Sequence, residues 1–541
     1  MVVVLCAAAV SRRAVPLAGG GCAPGTPNDE REAEMQLILS AGGIAAIVLW
    51  GLLWPASLGA FFERALALIT VNFGWLYLWV VLALVVVAAL LAFSRYGDFK
   101  LGGEDDEPEF SLASWFAMLF AAGMGIGLVF WGVAEPLSHY GAPPPGIAAN
   151  TPEAANAAMR YSFFHWGLHP WAVYSVVALA IAFFSFRRGK AALVSAATES
   201  LPWPWMRALS PLVNVLAVIA TAFGVAASLG IGALQINSGL HAVFGLPVGA
   251  ASQLAIIAVT TALFLASAMT GVTRGIKWLS SINLALAALL MATVFVVGPT
   301  VAIIDTFTTT LGAYASDFVR MSLRTTPFRD SGWVGSWTVF YWAWWVSWSP
   351  FVGLFIARVS RGPTIREFIA GTVFAPTLAG FAWFSVFGGT ALHLEIFAGV
   401  PIAEAVAADV STALFAMFDA LPMSALLSVV ATVLVLVFFV TSGDSATLVL
   451  GMMSTGGTPD PKARVKVVWG LLVAGIAASL LLSGGIRAVQ TATVVFALPF
   501  TLVIVLMTVA LWRAVREDWR EENRRERELR RRLREMADPT K

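Results

Sequence analysis

Long apolar segments with short polar connections run along almost the whole chain. Twelve of them, numbered here as spans 1 to 12, are about 20 residues or longer and apolar enough to cross a bilayer as helices. The spans lie at 36–54, 68–93, 112–139, 159–185, 209–237, 250–270, 278–300, 334–357, 367–391, 424–452, 466–484 and 489–513. The pattern predicts an all-α membrane protein with about 12 transmembrane helices.

Basic residues are unevenly distributed among the loops. Lys and Arg follow spans 2, 4, 6, 8 and 10, whereas residues 392–423, between spans 9 and 10, contain neither. Because cytoplasmic loops are enriched in Lys and Arg, the loops after even-numbered spans are expected inside. The pattern predicts a multi-pass protein of the cell membrane with both termini in the cytoplasm.

Span 3 contains glycines at alternate positions. Gly123, Gly125 and Gly127 fall within the run from Ala121 to Phe130. Glycine is a poor helix former, and an open stretch within a membrane survives only where it lines a cavity or an ion site. The spacing therefore predicts a functional break, with close helix packing through small residues as the alternative.

Span 8 carries the densest aromatic cluster of the chain. Five aromatic residues fall within eight positions: Tyr341, Trp342, Trp344, Trp345 and Trp348. Residues three and four apart share a helix face, and Pro350 removes a backbone donor, so the helix should kink or open there. An aromatic wall beside a broken helix suits a quaternary ammonium group. The alternative is an aromatic belt at the membrane surface.

Span 4 adds further aromatic side chains. Trp171 and Tyr174 share a helix face, and Trp166 is near enough in sequence to close the same patch. With span 8 they could form an aromatic box around a methylated ammonium. Since none of these residues is acidic, the box favours a zwitterion over a cation such as choline. The carboxylate of the zwitterion would bind N–H groups freed by the span 3 glycines.

Span 10 and the end of span 3 carry polar groups inside apolar segments. Thr441 and Ser442, with opened backbone carbonyls, could supply oxygen ligands to a hard cation, or their hydroxyls could bond their own helix. Asp444 is an intramembrane carboxylate, which is costly and usually functional. Glu135 is a second such group or the cap of an external turn.

Interruptions five spans apart divide the chain. Broken helices at matching positions of two halves are typical of transporters with inverted repeats, here spans 3–7 and 8–12. The predicted regions are a disordered or mis-started segment (1–35, with Met35 as the alternative start), two additional helices (36–111), the first repeat (112–300), an external amphipathic helix and loop (301–333), the second repeat (334–513) and a charged cytoplasmic C-terminal helix (514–541).

The C-terminal helix alternates basic and acidic residues. Pairs such as Glu521 and Arg525 have helix-stabilising spacing. One interpretation is a solvated tail. The other is a regulatory helix, with Arg516, Arg524 and Arg530 among its basic residues, that docks on anionic lipid or on the cytoplasmic loops.

Composition excludes several classes of protein. Only 12% of the 541 residues are charged and the net charge is +2. A soluble domain carries about twice that charged fraction, and a near-neutral chain implies no nucleic-acid partner. The five histidines and two cysteines show no metal-ligand spacing, and we find no nucleophile–base pair. The sequence therefore predicts neither an enzyme nor a resident cofactor.

Together these residues resemble the betaine/choline/carnitine transporter family from about Gln36 onward. The resemblance rests on Gly123-Met-Gly-Ile-Gly127 running into Trp131-Gly-Val-Ala-Glu-Pro136, on 342–366, and on Thr441-Ser-Gly-Asp-Ser445. It implies a leucine-transporter-like fold, often trimeric, and secondary uptake of quaternary ammonium compounds coupled to sodium or protons. The glycine motif resembles that of glycine betaine carriers, and the charged tail resembles osmosensing tails.

The resemblance also implies roles for individual residues. The implied substrate box comprises Trp166, Trp171, Tyr174, Trp344, Trp345 and Trp348, with Phe130, Gly125 and Gly127 beside it. The implied sodium site comprises backbone oxygens of Ala121, Met124 and Phe438 and the hydroxyls of Thr441 and Ser442. A second ion would use two hydroxyls one turn apart on span 5, near Phe351. Here Thr221 is present, but Val225 stands at the partner position.

The expected function is osmoprotective import of a quaternary ammonium compound, glycine betaine first, by a sodium-coupled homotrimer that works by alternating access. A proton-coupled choline transporter, or a carrier of another compatible solute, is the alternative within the family. A channel or an osmosensory receptor is the alternative from another class, but neither interrupted helix supplies the continuous polar lining of a pore.

Overall fold

The computed structural model describes residues 27–103, 105–123, 125–270, 273–328, 332–458 and 460–537, and within them it contains helices and turns but no β-strand. The helices are α1 (Pro27–Leu53), α2 (Pro55–Phe93), α3 (Leu112–Gly123), α4 (Ile126–Gly141), α5 (Pro152–Trp166), α6 (Leu168–Ala182), α7 (Val194–Thr198), α8 (Trp205–Ala208), α9 (Ser210–Phe244), α10 (Ala250–Thr270), α11 (Thr273–Val297), α12 (Thr300–Ser322), α13 (Phe340–Arg358), α14 (Ile365–Phe397), α15 (Ile402–Ala408), α16 (Ala413–Asp419), α17 (Ser424–Ser454) and α18 (Ala463–Ala537).

Each predicted span coincides with one helix or with part of a helix or a helix pair. Within the described chain, nine helices are long and apolar enough to cross a membrane, or ten if α11 and α12, bent by 109°, count as one span. Helices α3 and α4 together cover span 3. Helix α18 covers spans 11 and 12 and the tail, with a sharp bend at Gly484 and Gly485, where φ is positive. The all-α membrane class is confirmed, and the number twelve stays a prediction.

The first helix begins earlier than predicted. Residues 27–35, assigned from sequence to a disordered or mis-started segment, are helical. The sequence Pro27-Asn-Asp-Glu30 explains this start, because proline in the first turn and acidic residues beside it favour a helix N-terminus. Residues 1–26 lie outside the described part of the chain.

The centre of the protein is formed by the helices that carry the aromatic clusters. In the most apolar windows of 152–187 and of 335–358, 94% of residues are buried, against 28% in that of α1. Helices α4, α5, α6, α13 and α14 contact one another there. A membrane helix buried on all sides can hold polar and aromatic groups away from lipid, so this central bundle is where a site can be built.

The predicted break in span 3 is confirmed. Helix α3 ends at Gly123 and α4 begins at Ile126, with Gly125 between them at φ −139° and ψ −146°, outside the helical region. Met124 lies outside the described residues. The alternating glycines therefore interrupt the helix, as their low helix propensity predicts.

Span 8 is expected to kink or open at Pro350, and the expectation of an opening is wrong. Helix α13 continues from Phe340 through Pro350 to Arg358. Proline cannot donate to the carbonyl four residues back, which is that of Val346. The Ser349 hydroxyl donates to this carbonyl instead, at 2.7 Å. Because the freed acceptor has a new partner, the helix has no need to open.

The predicted amphipathic helix within 301–333 is present as α12. It buries one face, which includes Ile303, Tyr314 and Met321, and contacts α5 and α14. Its position on the outer side of the membrane stays a prediction.

Candidate functional site

Four of the predicted box residues come together in the central bundle. The rings of Trp344 and Trp345 on α13 are nearly parallel, with centroids 5.0 Å apart. Trp166, at the end of α5, stands edge-on to Trp345 at 4.8 Å, and Tyr174 on α6 stands edge-on to it at 6.2 Å. All four side chains are buried. We call Trp166, Tyr174, Trp344 and Trp345 the aromatic box.

The other predicted aromatic residues lie around this box. Trp171 contacts Tyr174 edge-on at 5.7 Å. Trp348 points toward α9, where its Nε1 donates to the carbonyl of Gly224 at 2.7 Å. Phe130 packs against Trp131. Among the residues that the structure describes, no ring contact joins Trp348 or Phe130 to the four box residues.

The glycine break lies directly beneath the box. A Cβ at Gly127 would stand 2.8 Å from Trp344 and 3.1 Å from Trp166, so only glycine lets both indoles close over the start of α4. A Cβ at Gly125 would meet none of the described residues within 4 Å, which indicates open space on that side. Among the described residues, no side chain caps the N-terminus of α4. Its first amide groups and the helix dipole therefore favour an anion at this point.

Glu135 is the functional candidate whose surroundings sequence reasoning missed. The interpretation as an external cap is wrong, because the side chain is fully buried. Its carboxylate is bonded to His139, His165, Trp166 and Tyr341. The spacing of Glu135 and His139, four apart on one helix, was a visible signal. The contacts from α5 and α13 depend on the fold.

Two histidines that looked scattered in sequence meet at this carboxylate. Ligand atoms of Glu135, His139 and His165 lie within 4.8 Å of one another, near enough to suggest a metal centre. However, Oε1 of Glu135 is 2.6 Å from Nδ1 of His165 and 3.2 Å from Nε2 of His139, which are hydrogen-bond lengths. The nitrogens that would face a metal are thus already bonded to the carboxylate.

The predicted sodium ligands of span 10 lie in a continuous helix. Helix α17 runs unbroken from Ser424 to Ser454, and the Thr441 hydroxyl donates to the carbonyls of Val437 (2.9 Å) and Phe438 (3.2 Å). The expected opening of the backbone there is wrong, since the hydroxyl bonds its own helix. Ala121 lies near the end of α3, Ser442 is half-buried in α17, and Met124 is outside the described residues. The sodium assignment stays a prediction.

The predicted second ion site keeps one free oxygen. The hydroxyl of Thr221 on α9 is buried and has no hydrogen-bond partner among the described residues. Buried hydroxyls are usually bonded, so this atom is available to a ligand. Val225, one turn later, is buried and offers no oxygen from its side chain. Phe351 packs edge-on against Trp348 at 5.4 Å.

The C-terminal part of α18 docks on the protein through its acidic residues. Arg187 pairs with Asp518 at 3.1 Å and also with Glu522, and Arg188 pairs with Asp518 at 2.5 Å. The guanidinium of Arg95 lies 3.8 Å over the ring of Trp519. We call these contacts the tail clasp.

The basic residues predicted to be regulatory point away from the tail clasp. Arg516, Arg524 and Arg530 are exposed. Arg524 pairs along the helix with Glu528 at 3.2 Å, and Arg530 pairs with Glu526. The tail therefore presents acidic groups to the loops and basic groups outward, and its regulatory role stays a prediction.

Comparison with known proteins agrees with this geometry. A model of the BCCT family, the betaine/carnitine/choline family transporters, matches residues 36–520. The glycine betaine transporter OpuD of Bacillus subtilis (strain 168) is 48% identical over 88% of this chain and 93% of its own length. An ectoine/hydroxyectoine transporter of Virgibacillus pantothenticus is 45% identical, covering 88% and 95%. Glycine betaine transporter 1 of Vibrio parahaemolyticus is 43% identical, covering 83% and 86%.

An aromatic box above a glycine break, in a chain that aligns with transporters over most of its length, has one consistent explanation. The chain belongs to the betaine/carnitine/choline transporter family and is a multi-pass membrane transporter, not an enzyme.

Proposed function

We propose that this protein imports glycine betaine by sodium-coupled symport and thereby supplies the cell with a compatible solute. Two of the three relatives described above are named as glycine betaine transporters. The proposal includes alternating access across the central bundle, a homotrimeric assembly, and contact of the exposed arginines of the tail with anionic lipid.

The observation that carries the proposal is the juxtaposition of the aromatic box and the open N-terminus of α4. Indole and phenol faces attract a trimethylammonium group, by about 0.5–2 kcal/mol for each well-placed ring. The uncapped amides after Gly125 favour a carboxylate. The two features meet at Gly127, where a Cβ would stand 2.8 Å from Trp344 and 3.1 Å from Trp166. A short zwitterion with an onium group at one end and a carboxylate at the other matches both.

The state of Glu135 favours a zwitterion over choline. A cationic substrate would gain most from a free carboxylate in the box. Glu135 is behind the box, and its two oxygens accept hydrogen bonds from Trp166, Tyr341 and two histidines. A carboxylate with all its acceptor positions occupied cannot also contact a substrate.

Sodium coupling is supported by oxygen atoms near the bundle. Thr221 presents a buried hydroxyl with no partner within the described chain, and Ser442 is half-buried on α17 beside Thr441. Sodium is a hard cation and binds such oxygens. The second ion has one side-chain ligand fewer than the family resemblance implies, because of Val225.

The direct test is uptake of radiolabelled glycine betaine by purified protein in proteoliposomes. We expect uptake with an inward sodium gradient and little without it. Uptake driven only by a proton gradient would support glycine betaine as the substrate but refute sodium as the coupling ion. No uptake under either gradient, with a reconstituted sodium-coupled control carrier active in parallel, would refute glycine betaine as the substrate.

Ectoine is the second candidate substrate, because the Virgibacillus pantothenticus relative is named for ectoine and hydroxyectoine. Competition in the same vesicles separates the candidates. Excess unlabelled glycine betaine should abolish uptake of its labelled form, whereas ectoine and choline should compete weakly. If ectoine, or choline under a proton gradient, competes more strongly than unlabelled glycine betaine, that solute is the better substrate and the proposal of glycine betaine is refuted.

The tail clasp supports osmotic regulation by α18. Arg188 and Glu522 of the clasp are partly exposed, and ion pairs that involve exposed charges weaken as ionic strength rises. Ending the chain before Arg516 should remove stimulation of uptake by high osmolality while basal uptake persists. Arg187→Ala with Arg188→Ala should mimic the truncation, and Arg524→Ala, outside the clasp, should not. A normal osmotic response after truncation would show that the tail does not regulate uptake.

A further inference from the structure

Glu135 links the helices that form the box. It lies on α4 about two turns beyond Gly127. Its side chain is fully buried, as are those of His139 and His165. A buried carboxylate is costly unless its oxygens are fully hydrogen-bonded, so Glu135 depends on the hydrogen bonds that its neighbours supply.

One oxygen of Glu135 holds two aromatic side chains. Oε2 accepts from Nε1 of Trp166 at 2.8 Å and from the hydroxyl of Tyr341 at 2.5 Å. Trp166 is a box residue. Tyr341 stacks on Trp345 with the ring planes at 23° and centroids 5.8 Å apart. This oxygen therefore fixes the position of Trp166, a box residue, and of Tyr341, which stacks on the box residue Trp345.

The other oxygen is held from behind by the histidines. Oε1 accepts from Nδ1 of His165 at 2.6 Å and lies 3.2 Å from Nε2 of His139. The far nitrogen of His165 is 3.0 Å from the hydroxyl of Thr338, in the π-helical segment Gly335–Val339 before α13. With bonding partners on both oxygens the carboxylate has a single orientation, and so do the rings attached to it.

We propose that Glu135 is a positioning residue for substrate binding: its carboxylate sets the orientation of Trp166 and Tyr341 and thereby the substrate affinity of the box. The indole of Trp166 lies between this carboxylate and Gly127. A Cβ on Gly127 would be only 3.1 Å from the indole. If the indole of Trp166 is released from Glu135, it can rotate away from Gly127 and Trp345. The box then loses one of its aromatic faces. The substrate part of this inference rests on the proposed function.

The test uses variants that shorten the acidic side chain or remove one hydrogen bond to it. Glu135→Asp keeps the charge but withdraws the carboxylate by one methylene. Tyr341→Phe removes one bond and leaves the acid in place. Glu135→Gln should partly rescue, because its carbonyl oxygen can still accept from Trp166 while its amide faces the histidines. Ser175→Ala is the matched control, since Ser175 and Thr372 form a buried polar link at 2.8 Å between α6 and α14, away from Glu135.

Two readouts are needed. In protein labelled with 5-fluorotryptophan, the fluorine resonance of Trp166, assigned by its loss in Trp166→Phe, reports ring position without any substrate. Proteoliposome uptake then gives KM and kcat for glycine betaine. We expect Glu135→Asp to shift the resonance and to raise KM by about ten-fold or more with a smaller effect on kcat. Because Glu135→Asp already frees the Tyr341 hydroxyl, adding Tyr341→Phe should leave the protein no worse than Glu135→Asp alone.

The outcomes separate this inference from the proposed substrate. A resonance unchanged in Glu135→Asp overturns the inference whatever the transport result, and so does a shifted resonance with unchanged KM. Equal loss in Ser175→Ala would show a general packing effect and overturn it as well. If the wild type does not transport glycine betaine, KM is measured with whichever of ectoine and choline is taken up, and the resonance still tests the positioning role.

Discussion

Two segments of the central bundle contain poor helix formers, and they behave differently. At the glycine break, α3 ends and α4 starts again with its first amides uncapped by any side chain. At Pro350, α13 continues without opening. Both sequences contain poor helix formers, yet only one yields open backbone. The difference shows that helix propensity alone does not decide where a membrane helix opens.

The fate of the freed backbone groups explains the difference. In apolar surroundings every freed donor or acceptor needs a partner. Ser349 supplies one for the carbonyl of Val346, so the helix remains intact and presents its tryptophans as a rigid wall. The glycines offer no side chain that could do the same at α4, and Gly125 faces open space. The unbroken segment thus forms an aromatic wall, and the interrupted one leaves open backbone at the start of α4.

The largest effect is expected from removing the wall. Trp345→Leu deletes the ring that contacts Trp166, Tyr174 and Trp344, and with it the main cation–π surface. Glycine betaine binding, measured by isothermal titration calorimetry, should be lost while the helical circular dichroism spectrum is retained. Trp171→Leu, which changes a residue bordering the box, should weaken binding less. Unchanged affinity in Trp345→Leu would refute the box.

A smaller loss is expected at the break itself. A methyl group at Gly127 would collide with Trp344 and Trp166, whereas one at Gly125 has room. Gly127→Ala should therefore lower the melting temperature of the substrate-free protein, and Gly125→Ala should not. Both should weaken betaine binding, because both narrow the space above the amides. Equal melting temperatures for the two variants would contradict the close contact at Gly127.

The smallest effect, and the sharpest test of the comparison, concerns Ser349. Ser349→Ala leaves the carbonyl of Val346 without a partner, which costs about 1–3 kcal/mol. Adding Pro350→Ala restores a backbone N–H and should recover the lost stability, measured as the melting temperature in detergent. Ser347→Ala is the control, because its hydroxyl bonds the carbonyl of Trp344, which the helix already satisfies. A double variant no more stable than Ser349→Ala would show that the hydroxyl is not what keeps α13 closed.

The sequence predicted features that depend on local pattern. Hydrophobic runs located the helices, alternating glycines located the break, and spacings of three and four residues placed Trp344, Trp345 and Tyr174 on faces that meet. It failed where a distant partner decides the outcome. Glu135 is hydrogen-bonded by residues on α5 and α13, and Asp518 pairs with Arg187 at the end of the π-helical segment Phe183–Arg187, which follows α6. Even at Pro350 the compensating hydroxyl was adjacent, but its rotamer was not visible in sequence.

The most direct test of the account is a cryo-EM map of the protein with glycine betaine and sodium. We expect density for the trimethylammonium group against Trp166, Trp344 and Trp345 and for the carboxylate at the amides after Gly125. Density for the substrate elsewhere in the central bundle, or with its carboxylate turned away from the start of α4, would contradict it.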